Sequence, residues 1–290
     1  MSDTTHTFSH NGLTATVSSH GAELTALLAP DGRNILWEAG PEWPRHSPVL
    51  FPIVGKAPDN STLDDLPVHL TQHGFARDMT FTWVERSPTG CILELKDTPQ
   101  THELFPSQFR LTLIYQIKED ALHVGYVLTN PSDHKILHTS LGAHPAFKWP
   151  QYPGDTKENY QLIFEKNEPD PIHRISPKGL LPDDFHSPIA GRILKLNDQL
   201  FEADAIIMLN TKSHSIDFTN PDGLGLRIRW EGFQDLGIWT KPGAEFLCIE
   251  PWYGYATPEG FSGDFSKKPE LLHLNPHESW EASWSVKPLS

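Results

Sequence analysis

Alternation with a period of two runs through most of this chain, and it limits the fold more than any other feature. "FRLTLIYQI" puts Phe109, Leu111, Leu113, Tyr115 and Ile117 on one face, and "ALHVGYVLTN" follows with Leu122, Val124, Tyr126 and Leu128. Successive side chains of a strand point to opposite faces, so each segment reads as a strand with one apolar side. The "KED" between them suits a hairpin connection. "SIDFTN" and "LGLRIRW" flank "PDG", where Pro presets one turn dihedral and Gly supplies another. "MTFTWVE", "CILELKD" and "SWEASWSVK" alternate in the same way. A 3.6-residue period is nearly absent, and 26 Pro with 20 Gly leave helices little room. Short helical turns are expected near "QLFEAD" and "LPDDF". About fifteen or more short strands at this spacing predict an all-β fold, a large antiparallel β-sandwich or barrel.

The chain of 290 residues shows no internal repeat and no low-complexity linker, so residues 1–290 are read as one domain. The stretch 150–200 is rich in loops, which are expected to lie on one rim of the sheet system and to carry function. Nine Trp, fifteen Phe and six Tyr can fill a core, which excludes disorder. A formal net charge of −14 argues against nucleic-acid binding, since phosphates would be repelled. Cys91 and Cys248 make no disulfide framework. "MSDTTHTFSH" lacks the basic lead and apolar core of a signal peptide, and no apolar run reaches the ~18 residues of a membrane span. A cytoplasmic protein without membrane contact, monomeric or homodimeric, is the expectation.

Three polar constellations stand out. In "QHGFAR", His73 is a possible base, acid, metal ligand or hydrogen-bond donor, Phe75 a pocket wall or core residue, and Arg77 a partner for a carboxylate. In "SLGAHPAFKWP", Pro145 drives His144 out of the helical region and holds it extended at a strand end, where it can be aimed. In "EFLCIEPWYGY", an apolar run leads to Glu250 beside Trp252, a setting that raises a carboxyl pKa towards that of a general base at neutral pH. Each also has a plain structural reading: a turn histidine, a capping histidine, a strand-end glutamate paired with arginine. Two His and one carboxylate could bind a metal, but no two of them show close ligand spacing. An acid–base pair across a substrate is the alternative, and the surrounding aromatics suit the C–H faces of sugar rings. Trp37, Trp149 and Trp239 are pocket-wall candidates, weighed against core packing. Trp280 and Trp284 share one strand face and are assigned to the core. Cys248 reads as a small buried hydrophobe.

Taken in order, "RHSPVLFPIVG", "HGFAR", "GAHPAF", "DAIIML" and "CIEPWYG" resemble the aldose 1-epimerase (galactose mutarotase-like) family, most nearly its LacX-like branch. The matching segments run from about residue 20 to about residue 285. The resemblance implies the family's antiparallel supersandwich and interconversion of the α and β anomers of an aldose, with a sugar as the partner and no metal or cofactor. Glu250 would remove the proton of the C1 hydroxyl, and His144 would protonate the ring oxygen. His73 would hydrogen-bond near that oxygen, Asp204 would bind sugar hydroxyls and Arg45 would orient them. A related branch acts on hexose 6-phosphates, for which Arg45, Lys56, Arg77 and Lys148 are available cations. A carbohydrate-binding protein without catalysis remains a third reading, because sandwich folds host many binders.

Overall fold

The computed structural model describes residues 4–58 and 60–289. Among them lie 24 strands and a single α-helix, Pro99–Leu104. Every pairing between named strands is antiparallel, and the architecture is the expected all-β one. The largest sheet has nine strands, with Ser215–Thr219, Gly225–Glu231, Ser279–Leu289, Ala121–Thr129, Arg110–Lys118 and Gly90–Lys96 consecutive across its middle. A second sheet runs in the order Ile206–Met208, Asp235–Trp239, Phe246–Tyr253, Leu141–Ala143, Val49–Leu50, and Ala146–Lys148 also pairs with Phe246–Tyr253. Thr5–His10, Leu13–Ser18 and Leu24–Leu28 form a third, smaller sheet.

Leu111, Leu113 and Tyr115 point from the nine-stranded sheet into one core shared with Leu247 and Ile249 of the second sheet. Trp284 lies in this core, and Trp280 packs against its edge on Phe233 and Tyr253. The strand Phe246–Tyr253 is buried on both faces. Its odd residues Leu247 and Ile249 enter the main core, while Phe246, Cys248 and Trp252 enter two smaller apolar clusters on the other side. That double burial explains why "FLCI" shows no alternation. It also places Glu250 in mid-strand rather than at a strand end, because pairing continues through Tyr253.

One local expectation holds and one needs correction. "QLFEAD" does contain a turn of 3-10 helix, Asp198–Phe201, but "LPDDF" is irregular. The α-helix lies instead at "PQTHEL", started by Pro99 and by a reciprocal cap between Thr98 and Thr101. No helix among the described residues is long and apolar enough to cross a membrane.

Candidate active site

One cavity of about 530 Å³ collects most of the singled-out residues: Arg45, His73, Arg77, His144, Asp204, Trp239 and Glu250 all line it. Part of its wall comes from the loop-rich region, through Ile175, Ser176, Pro177 and Gly179. A larger open groove of about 890 Å³ lies elsewhere, over Arg227, Arg229 and Ser285, and contains none of these residues.

His144 leaves the strand Leu141–Ala143 and precedes Ala146–Lys148, and both strands are hydrogen-bonded to Phe246–Tyr253. This pairing brings His144 Nε2 to 3.2 Å from the Glu250 carboxylate. Glu250 is 2 % exposed and His144 7 %, so the pair sits at the buried end of the cavity. Burial pushes the Glu250 carboxyl well above the usual range, and the nearby Asp204 adds to this. Burial also pushes the His144 imidazole well below its ordinary value, assisted by His73 and Arg77. Both directions favour the uncharged forms, a neutral carboxyl beside a neutral imidazole. The Trp43 ring stacks on His144 at 4.9 Å, and Trp239 meets it edge-on at 6.0 Å.

His73 occupies the left-handed region at φ 65°, and Gly74 follows at φ 71°. A Cβ on Gly74 would lie 2.2 Å from the Phe51 carbonyl oxygen, so no other residue fits this turn. The turn is held by His73 N–H donating to the Gly55 carbonyl at 2.6 Å. Gly55 N–H donates to His73 Nδ1 at 3.1 Å, which leaves the ring proton on Nε2. Burial, together with Arg77, Arg45 and Lys56, lowers the His73 pKa to about 3, so its ring is a neutral donor at ordinary pH.

The charged rim is more exposed. Arg45 donates to Asp78 at 2.9 Å, while the neighbouring His46 is turned towards Glu23. Arg77 donates through Nη2 to the Gln72 carbonyl, and its buried Nε lies 3.9 Å from the Asp78 carboxylate without a hydrogen bond. Burial and Arg45 lower its pKa to about 10. Asp204 sits at φ 66°, with one carboxylate oxygen accepting from the Ala205 N–H at 2.7 Å. Lys56 also lines the cavity and forms no ion pair among the described residues.

Phe75 is the exception. Its side chain is 5 % exposed and packs on Phe51 and Phe109 within the main core, not on the cavity. The left-handed residues before it reverse the chain and send Phe75 inwards. Phe75→Ala is therefore expected to cost about 3–5 kcal/mol of stability in chemical denaturation, with KM unchanged for the folded fraction. Trp37 and Trp149 are not cavity residues either. Trp37 packs on Phe246, and Trp149 is fully buried with its indole N–H donating to the Lys157 carbonyl. Lys148 is paired with Glu38 at 2.9 Å, away from the cavity.

Sequence reading missed Trp43 and placed Trp252 only as a neighbour of Glu250, and both line the cavity. It also missed that His144, Cys248 and Glu250 offer ligand atoms within 4.8 Å of one another, the one such group found among the described residues. Burial pushes the Cys248 thiol well up, so in the metal-free protein it is a neutral thiol. An acid–base pair uses His144 and Glu250 without it.

The whole architecture has close relatives. A galactose mutarotase related enzyme from Lactobacillus acidophilus superposes with a TM-score of 0.90 at 27% identity, over 99% of this chain and 97% of that one. A galactose mutarotase-like protein from Lactobacillus casei gives 0.89 at 26% identity, over 98% and 100%. The chromosomal LacX protein of Lactococcus lactis subsp. lactis is 29% identical over 286 residues, 94% of this chain and 96% of that protein. The profile of the aldose 1-epimerase family matches residues 4–287, and the chain belongs to that family.

Proposed function

We propose that the protein is an aldose 1-epimerase that interconverts sugar anomers by acid–base ring opening. The observation that carries this reading is the Glu250–His144 pair, 3.2 Å apart at the buried end of a polar cavity with tryptophan walls. Ring opening moves two protons. Ionised Glu250 takes the proton of the C1 hydroxyl while protonated His144 gives one to the ring oxygen. The C1–O5 bond breaks as the C1–O1 carbonyl forms. Rotation about C1–C2 and the reverse transfers close the ring on its other face. The enzyme starts as an ion pair and ends the opening step as neutral carboxyl and neutral imidazole. Burial favours that second arrangement, so the ion pair is the rarer, reactive form of the free enzyme. The neutral His73 Nε2–H is suited to donate to a sugar oxygen, and Asp204 and Arg45 to bind hydroxyls at the rim. Trp43 and Trp239 offer apolar faces for the ring.

A second reading is favoured by the cations. Arg45, Lys56 and Arg77 line one side of the cavity in a chain of net charge −14, which suits a phosphorylated aldose. Exchange NMR between α and β anomeric protons tests both readings, using glucose, galactose and their 6-phosphates. Enzyme-dependent exchange on the free sugars supports the first. Exchange on the phosphates alone supports the second, and Lys56→Ala should then raise KM about tenfold, the value of a charge-assisted hydrogen bond. No exchange with any of the four contradicts both.

A further inference from the structure

Trp252 follows Glu250 by two residues, so both side chains leave the same face of the strand. The indole lies flat across its neighbours because both present glycine. A Cβ on Gly142 would stand 2.4 Å from the indole Cδ1, and one on Gly237 would stand 2.4 Å from Cη2 and Cζ2. Gly142 is paired with Trp252 itself, and Gly237 with Glu250. The ring is 4 % exposed, yet its Nε1 has no hydrogen-bond partner. A buried donor without a partner is costly and calls for an explanation. This one lies on the cavity beside the Glu250 carboxyl and draws its pKa down against burial, without closing a full hydrogen bond.

We infer that Trp252 is a positioning residue, whose indole N–H, seated on Gly142 and Gly237, closes onto the Glu250 carboxylate when that group ionises. Glu250 is the charge to be held, and the N–H has nothing else to satisfy. The adjacent Trp thus acts opposite to an apolar neighbour, which would raise the carboxyl pKa further.

A specific signature follows, resting on the acid–base reading above. The pair works with one proton, between a lower apparent pKa for gaining a second and an upper one for losing the last. The groups acting on it are Cys248 on the same strand, Asp204 across the cavity, and His73, Arg77 and Arg45 around His144. Removing the N–H disfavours ionised Glu250. The upper apparent pKa should rise by about one unit, and the plateau kcat should fall about tenfold because the ion-pair form becomes rarer. Both changes come from one interaction, so they should match in logarithmic size. The lower apparent pKa should not move, since Glu250 is neutral on both sides of that step.

The test replaces Trp252 by benzothienylalanine, which keeps the bicyclic shape but carries sulfur in place of N–H, with Trp252→Phe as a second variant. Activity is followed against pH, and the protonated-carboxyl infrared band missing from Glu250→Gln reports Glu250 directly. Gly237→Ala, which unseats the ring while keeping the N–H, should shift the band titration the same way. Glu250 titrating at the same pH in the benzothienyl and wild-type proteins would overturn the proposal, as would a rise in KM alone. The infrared titration needs no turnover, so it judges Trp252 even if no sugar proves to be a substrate.

Discussion

Glu250→Gln is expected to lower kcat for anomerisation about 10²- to 10⁴-fold, the usual contribution of a positioned base. The amide keeps the shape of the carboxyl but cannot take the C1 hydroxyl proton. Stability should not suffer. Glu250 is 2 % exposed and burial already favours its neutral form, so a neutral amide removes a group that is costly to ionise there. Thermal melting should therefore stay level or rise while turnover collapses. Residual activity would depend on protonated His144, so it should fall as pH rises through the lowered pKa of that ring.

His144→Asn should cost a comparable factor for a different reason. Asn can still hydrogen-bond Glu250, but it has no proton to give the ring oxygen. Glu250 then titrates without its imidazole partner, and residual activity should climb as pH rises through its elevated pKa. The two variants thus predict pH slopes of opposite sign. The double variant should be about as slow as either single one, because the residues act as a unit. A double variant slower by the product of the two factors would mean that they serve separate steps.

The sequence announces the site's chemistry more clearly than its walls. His144 is readable because Pro145 stiffens the chain beside it. Glu250 is readable because a carboxylate after "FLCI" stands out, although an apolar run without alternation hides where such a strand ends. Between pocket wall and core, Phe75 stays open in the sequence because "HGFAR" shows no dihedrals, and two left-handed residues in a row reverse the direction of everything after them. Trp43 lies in "GPEWPRHSP", a loop with no period to give it a face. Only its nearness to Arg45 hinted at the cavity. Trp252 was visible as a neighbour of Glu250. Its orientation depends on Gly142 and Gly237, which are far apart in sequence and meet only through strand register. The helix Pro99–Leu104 could have been found, since Thr98 with Pro99 after it is a start signal, but six residues are too short for a period.

Polarimetry of freshly dissolved α-D-glucose, α-D-galactose and their 6-phosphates in dilute buffer is the most direct test of the central claim. Wild-type protein should speed the approach to equilibrium rotation for at least one of these sugars, and Glu250→Gln should return the rate to near that of buffer. Equal acceleration by wild type and Glu250→Gln, or none by wild type for any of the four, would contradict an acid–base epimerase built on Glu250.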